Sequence, residues 1–390
     1  MSAPLLLDLS HTSHTRARTG IQRVARSLRS ALGESATGIT YDPYLGGWRT
    51  LESWEVANLD AVAPTSRRSA QWPLTARVRS RMRRAIGRDS RLPAPAAGVV
   101  FPEIFSAAVG ARLGGFAKEQ GPRVAIFHDA IPLELPELSP PKTVARFPSY
   151  LRELLALDGI AAVSDDSRGR LSEYWSWLGI RNAPPVVTIP LGIERPASPA
   201  RPAREPSDVP VVLSVGSIEA RKNHLALLEA CEQLWSRGVR FRLHLVGLPR
   251  AETGRAALAR IAELRAAGRA LQHDTQADDA AVAAAYAACT FTVYPSLREG
   301  FGLPVLESLA QGKPCLCLNR GALAESARGG GCVLLESVDA GALAGAIEHL
   351  LARPDDIARL GAEAKRRLFR SWSDYARELT GWMRTLSPRR

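Results

Sequence analysis

The chain has 390 residues, 46% of them hydrophobic and 23% charged, and carries a net charge of +12 with a pI near 10. That length exceeds what one core comfortably serves and predicts two domains, while no run approaches the roughly 20 uninterrupted apolar residues of a membrane-spanning helix. The five cysteines, Cys231, Cys289, Cys315, Cys317 and Cys332, are odd in number, scattered and set in apolar runs, which excludes a disulfide framework and, with a single close pair, argues against a zinc site.

The chain opens MSAPLLLDLSHTSHTRAR, where a short apolar run is cut by Asp8. A signal peptide needs a longer apolar region, so cytoplasmic residence is expected. The segment TGIQRVARSL (19–28) reads either as a turn into a helix with Thr19 as cap, or as a loop in which Gly20 lets the backbone approach a phosphate. Over 77–91 the chain reads RVRSRMRRAIGRDSR, seven arginines against one aspartate. Leu74, Val78, Met82 and Ile86 recur every four residues, so a helix here carries one apolar stripe, with Trp72 near its start. Two readings stand side by side: an interfacial membrane helix, or a soluble helix whose stripe packs on its domain.

From residue 98, β-type runs alternate with helical patterns: GVVF, RVAIFHD (123–129), a helix near 143–157, GIAAVS (159–164) and a last short VVTIPLGI. Alternation of that kind predicts parallel strands with crossover helices. The proline-rich ERPASPARPAREPSD (194–208) lacks apolar periodicity and marks a linker. The expected organisation is therefore a first domain over 1–193, a linker over 194–208, a second domain over 209–370, and a closing helix over 371–390.

The second half is an α/β pattern of PVVLSVGS (210–217), HLALLEACEQLW, FRLHLVG (241–247), ADDAAVAAAYAAC, TFTVYPS, GLPVLESLAQGKP and CLCLN. Its strands are almost uniformly apolar, as in a doubly wound sheet with helices on both faces. Pro304 falls at the start of a helix and Gly312 just past its end. Leu368, Trp372, Tyr375, Leu379 and Trp382 repeat at three or four residues and predict a closing amphipathic helix.

SLREGFGLPVLESLAQGKP follows a predicted strand and precedes a helix, so it sits at the carboxyl edge of a parallel sheet, where ligands of open α/β sheets bind. Gly300 and Gly302 permit close approach, and the helix start offers free N–H groups to an anion. Glu307 reads as a ribose-binding carboxylate and Glu299 as a sugar contact; against this, Glu307 simply complements the helix dipole and Glu299 is a surface residue.

Glu299, seven residues and Glu307, with GFGLP between, resemble the EX7E signature of retaining glycosyltransferases of family 4, which have the GT-B fold of two Rossmann-like domains facing across a cleft. VLSVGSIEARKNHLALLEA (212–230) is similar to that family's strand, glycine loop and Arg-Lys segment, and TGIQRVARSL, FHDAIPL and VSDDSRGRL resemble its first-domain loops. The resemblance implies catalytic roles for His128, Glu299, Arg221 and Lys222, and donor binding by Gly20, Ser164, Gly216, Gly300, Phe301, Gly302, Leu303 and Glu307. Arg221 and Lys222 would neutralise a departing diphosphate without a metal, and no DxD motif is present. Their alternative is a solvated helix start, although positive charge there opposes the dipole. Asp129 would orient the His128 ring, which otherwise is an ordinary strand-end histidine; Ser164 otherwise caps a helix.

The expected partners are thus a nucleotide sugar and a glycan or lipid-linked acceptor, with an anionic membrane surface reached through 74–91 and no cofactor. By likeness the sugar is mannose or rhamnose, used in a bacterial surface polysaccharide. Retention proceeds either by a front-face route or through a covalent carboxylate intermediate. Two other classes compete: a catalytically silent sugar-nucleotide-binding partner, and a nucleic-acid-binding protein, for which the basic 77–91 lacks interleaved aromatics.

Overall fold

The computed structural model describes residues 3–18, 20–61, 70–87, 92–193 and 209–389. Thr19, residues 88–91 of the basic segment and the linker 194–208 lie outside the described residues. The chain divides into two compact units, Met1–Ala130 with Ala145–Gly192 and Trp372–Arg390, and Ile131–Val144 with Ile193–Ser371. Ile131–Val144, in the first half of the sequence, thus groups with the second unit.

The first unit holds strands β1 (Leu5–Asp8), β2 (Ala36–Asp42), β3 (Gly47–Thr50), β4 (Gly98–Phe101), β5 (Arg123–Phe127), β6 (Gly159–Ala162) and β7 (Val186–Thr188) in the order β3-β2-β1-β4-β5-β6-β7. All neighbours are parallel except β2 and β3. That pair is a hairpin whose turn is built by Asp42, which accepts from the Tyr44 and Leu45 N–H groups at 2.9 and 3.1 Å. The central strands are deeply buried: Val99 to Phe101 and Val124 to Phe127 are wholly inaccessible, and Arg123 at the start of β5 is partly exposed.

The second unit holds β8 (Val211–Val215), β9 (Arg242–Val246), β10 (Leu271–Asp274), β11 (Phe291–Tyr294), β12 (Cys315–Leu318) and β13 (Cys332–Leu335), all parallel, in the order β10-β9-β8-β11-β12-β13. The order reverses between β1 and β4 in one unit and between β8 and β11 in the other, so each sheet has one switch point, where loops diverge to opposite faces and leave a crevice at the carboxyl edge. The five cysteines are unpaired thiols.

Helix ends follow their local chemistry. The Asp278 and Asp339 side chains accept from the Ala281 and Ala342 N–H groups, capping the helices Asp279–Ala288 and Ala340–Ala352. Gly312, with φ of +70°, closes Leu303–Ala310, and the Lys313 N–H returns to the Ser308 carbonyl.

The helix Trp372–Met383 packs on the first unit, burying Tyr375, Leu379 and Met383. Two glycines make room for it: a Cβ on Gly159 would meet the Trp382 ring at 2.7 Å, and one on Gly98 would meet the Met383 methyl at 2.6 Å. The expected stripe is corrected at one end. Leu368 precedes the helix and is 94% exposed, while Ala376 and Met383 complete the buried face. Replacing Tyr375, which is fully inaccessible, by Ala is expected to destabilise the first unit by about 3–5 kcal/mol, read from urea denaturation followed by far-UV circular dichroism.

Candidate active site

At the switch point of the second unit, the loop after β8 carries Gly216 to Lys222 and the loop after β11 carries Ser296 to Gly302. Glycine shapes the first loop from beneath: a Cβ on Gly247 would lie 1.9 Å from the Gly216 carbonyl, and one on Gly254 would lie 2.2 Å from that of Ile218. Ala220–Lys222 then forms one 3-10 turn, and Asn223 turns the chain into the helix His224–Ser236 with φ of +56°, its side chain donating to the Val338 carbonyl at 2.8 Å. Arg221 and Lys222 therefore precede that helix rather than forming a solvated start to it. Lys222 is buried.

Glu299 joins the two loops. Its Oε1 accepts from Lys222 Nζ at 2.6 Å, from Arg221 Nη1 at 2.9 Å and from the Ser296 hydroxyl. The backbone adds a second tie, the Leu297 N–H donating to the Arg221 carbonyl at 2.9 Å. Burial alone would raise the Glu299 pKa, but the neighbouring Arg221 and Lys222 charges override it and hold the carboxyl down to about 2. Burial shifts the Lys222 ammonium the other way, below its usual range, and the Glu299 charge offsets only part of this. Lys222 also donates to the Tyr294 hydroxyl and lies 4.7 Å from that ring's centre. Around the cluster, Glu219 pairs with Arg221 at 2.9 Å, and Arg298 makes a two-pronged pair with Glu134 at 2.7 and 2.9 Å.

Gly302 starts the helix Leu303–Ala310 with φ of +101°, and the Ser326 hydroxyl donates to the Phe301 carbonyl just before it. A side chain at Gly302 would be conformationally strained and crowded by Ser326 at 3.1 Å. Glu307 lies half-buried on that helix, one oxygen receiving the Tyr286 hydroxyl at 3.2 Å. Glu299, Arg221, Lys222, Gly216 and Gly300 to Leu303 thus share one crevice wall, with Glu307 one turn along the helix. Tyr294, Ser296 and Glu219 escaped the sequence reading, although YPSLRE and SIEARK contain them.

The remaining expected residues lie in the first unit. His128 follows β5, and its ring Nε2–H donates to the Pro102 carbonyl at 2.7 Å. That bond orients the ring, and the Asp129 charge acts on it as well. Burial lowers the His128 pKa more than the Pro102 bond and the nearby acids raise it. Ser164 caps the helix Asp165–Trp177 through the Ser167 N–H at 3.0 Å, and Ser167 in turn donates to the His128 carbonyl at 2.8 Å. Gly20 is exposed at the first position of the helix Gly20–Leu32.

The switch point of the first unit is also bridged by a carboxylate, Glu103, which receives the Thr12 N–H at 3.1 Å, the His11 N–H at 3.3 Å and the Thr12 hydroxyl. Beside it Asp8 ends β1, buried, with both the N–H and hydroxyl of Ser10 donating to it. Burial pushes the Asp8 carboxyl up to about 7, against those hydrogen bonds and with help from the Glu103 charge. No pattern in LLLDLSHTSHT distinguishes these roles.

Residues 200–367 match the family described as glycosyl transferases group 1. The chain is 26% identical over 340 residues to the serotype-specific mannosyltransferase WbdA of Escherichia coli, a match covering 80% of this chain and 38% of WbdA. It is 30% identical over 215 residues to the O-antigen chain mannosyltransferase B of Escherichia coli, covering 52% and 54% of the two chains. The chain thus aligns with little more than half of one of these relatives and less than half of the other. Among solved structures, sucrose-phosphate synthase from Thermosynechococcus elongatus superimposes with a TM-score of 0.69 at 20% identity over 98% of both chains. HepE from Anabaena, in complex with UDP and glucose, does so with a TM-score of 0.70 at 14% identity over 99% and 100%. The fold is GT-B.

Two outcomes follow from the charges. Glu299→Gln strands a buried ammonium and is expected to cost about 3–5 kcal/mol at neutral pH. Because the folded-state pKa is depressed, the gap from wild type should hold from pH 7 to about 4.5 and close as pH falls toward 2, read as unfolding midpoints across pH. For Asp8 the sign is opposite: its raised pKa stabilises the fold below about pH 4 and that contribution is lost as pH rises through 7, so Asp8→Asn should flatten stability over that window.

Proposed function

We propose, for a chain whose residues 200–367 match the group 1 glycosyl transferases, that it moves a mannosyl residue from a nucleotide-diphosphate sugar to a glycan or lipid-linked acceptor in bacterial surface polysaccharide synthesis. The transfer retains anomeric configuration and needs no metal. The observation that carries this reading is the Arg221–Lys222–Glu299 cluster at the switch point of the second unit. A diphosphate gains charge as the glycosidic bond breaks, and Arg221 and Lys222, held in place by Glu219 and Glu299, supply cationic groups of the kind that a divalent ion otherwise gives. Mannose is favoured over rhamnose by the similarity to the two Escherichia coli mannosyltransferases.

Glu299 serves as the counter-ion that holds both cations in place. A carboxylate with three donors on one oxygen, kept far below its usual pKa, is a weak nucleophile. This favours the front-face route over a glycosyl-Glu299 intermediate: the anomeric carbon–phosphate oxygen bond breaks, the acceptor oxygen bonds to that carbon, and its proton passes to the departing diphosphate. Glu307, with one oxygen held by Tyr286, receives the ribose hydroxyls, and Gly300 to Leu303 present backbone N–H groups to the donor. Within the first unit Ser164, engaged as a cap, supports the His128 loop through Ser167. The cytoplasm supplies the donor.

A screen of nucleoside diphosphates and their sugar conjugates should raise the unfolding midpoint, a ligand at 100 times its Kd adding about 2.7 kcal/mol. Lys222→Met and Arg221→Gln should each lower kcat by roughly 10²–10³-fold. No shift with any nucleoside diphosphate would overturn the donor reading, and binding with no sugar transfer or donor hydrolysis would identify a silent binding partner instead.

A further inference from the structure

The helix Leu74–Ala85 is seated on the first unit by only one narrow face. Ala76 and Ser80 are buried, and the Ser80 hydroxyl donates to Asp42 Oδ2 at 2.6 Å. Asp42 belongs to a buried ionic cluster: Arg49, 2% exposed, reaches Asp42 at 2.9 Å and both oxygens of Glu55 at 2.6 and 2.9 Å, and His14 holds Glu55 at 2.7 Å. The helix therefore has a fixed rotation about its axis.

That rotation speaks against the reading in which the stripe packs on its own domain. At 100° per residue, Val78 lies opposite Ala76 and Ser80, and the stripe runs outward: Leu74 is 74% exposed, Val78 47%, Met82 64% and Ile86 66%. A stripe packed on its own domain would be buried. Arginines flank it on both sides. Arg79 and Arg83 lie toward Glu52, and Arg77 and Arg81 lie over the Tyr44 ring at 5.8 and 5.4 Å. Beside the second pair, Pro43, Tyr44, Arg81, Arg84 and Ala85 line an open groove.

Four large apolar side chains pointing outward along one line, bordered by guanidinium groups with long apolar stems, match the cross-section of an interface whose acyl region is apolar and whose headgroups are anionic. No helix among the described residues is long and apolar enough to cross a membrane. We propose that Leu74–Ile86 is a docking element that lays its Leu74, Val78, Met82 and Ile86 stripe into an anionic lipid surface while Arg77, Arg79, Arg81, Arg83 and Arg84 contact lipid phosphates. The docking does not depend on the reaction the second unit performs.

Flotation of the full chain with phosphatidylcholine vesicles, with and without phosphatidylglycerol, tests this. The wild-type protein should float only with the anionic vesicles and sink as salt is raised. The variant with Leu74, Val78, Met82 and Ile86 all replaced by Ser should lose flotation with its unfolding midpoint unchanged, since all four side chains are exposed. Replacing Arg77, Arg81 and Arg84 by Gln should weaken partitioning roughly 100-fold. Wild type that stays down with anionic vesicles, equal flotation by the serine variant, or equal binding to neutral vesicles would each overturn the proposal. So would stripe-dependent dimerisation in light scattering without vesicles, which would make a second copy the occupant.

Discussion

The second unit depends on one electrostatic compensation. A lysine ammonium buried at a switch point is expensive unless an anion is held against it, and Glu299 supplies that anion while also gripping Arg221 and Ser296. The two loops it joins come from strands adjacent in the sheet but separated in sequence by the whole of β9 and β10. The carboxylate is thus at once the lock on the crevice and the counter-ion of Arg221 and Lys222. A residue with both duties cannot be changed for one without disturbing the other.

The same topology is used in the first unit with different chemistry. There Glu103 also spans the loops at the switch point, but it grips the Thr12 hydroxyl and backbone N–H groups rather than a lysine. Asp8, Glu103 and Asp129 put three carboxyl groups at that edge, whereas the corresponding edge of the second unit sets Arg221 and Lys222 against Glu219 and Glu299. The first crevice thus holds carboxylates gripped by hydroxyl and backbone N–H donors, and the second holds cations and carboxylates paired with one another.

What could be read from the residues tracks how local the cause is. β4, β5, β8 and β11 are buried on both faces, so their runs are unbroken and apolar, and each stood out as a strand. β10, LQHD, is an edge strand with half-exposed polar side chains, and it carries no such signal. Leu368 fitted the helical repeat but falls before the helix, since periodicity alone does not place a boundary. In the site, Glu299, Glu307, Arg221 and Lys222 were visible through motif and spacing, whereas the burial of Lys222 depends on Tyr294, distant in sequence. The outward stripe of Leu74–Ala85 was an open alternative because its rotation is set by Ser80, Asp42 and Arg49, contacts that no spacing rule encodes.

The helix Trp372–Met383 completes the first unit after an excursion of 179 residues, Ile193–Ser371, through the second. During synthesis at roughly 5–20 residues per second, the apolar seat around Gly98 and Gly159 is made early and must wait some tens of seconds for Tyr375, Leu379 and Met383 to emerge. The first domain is therefore the first begun and the last finished, and its uncovered groove is the surface most in need of a chaperone while the chain is still on the ribosome.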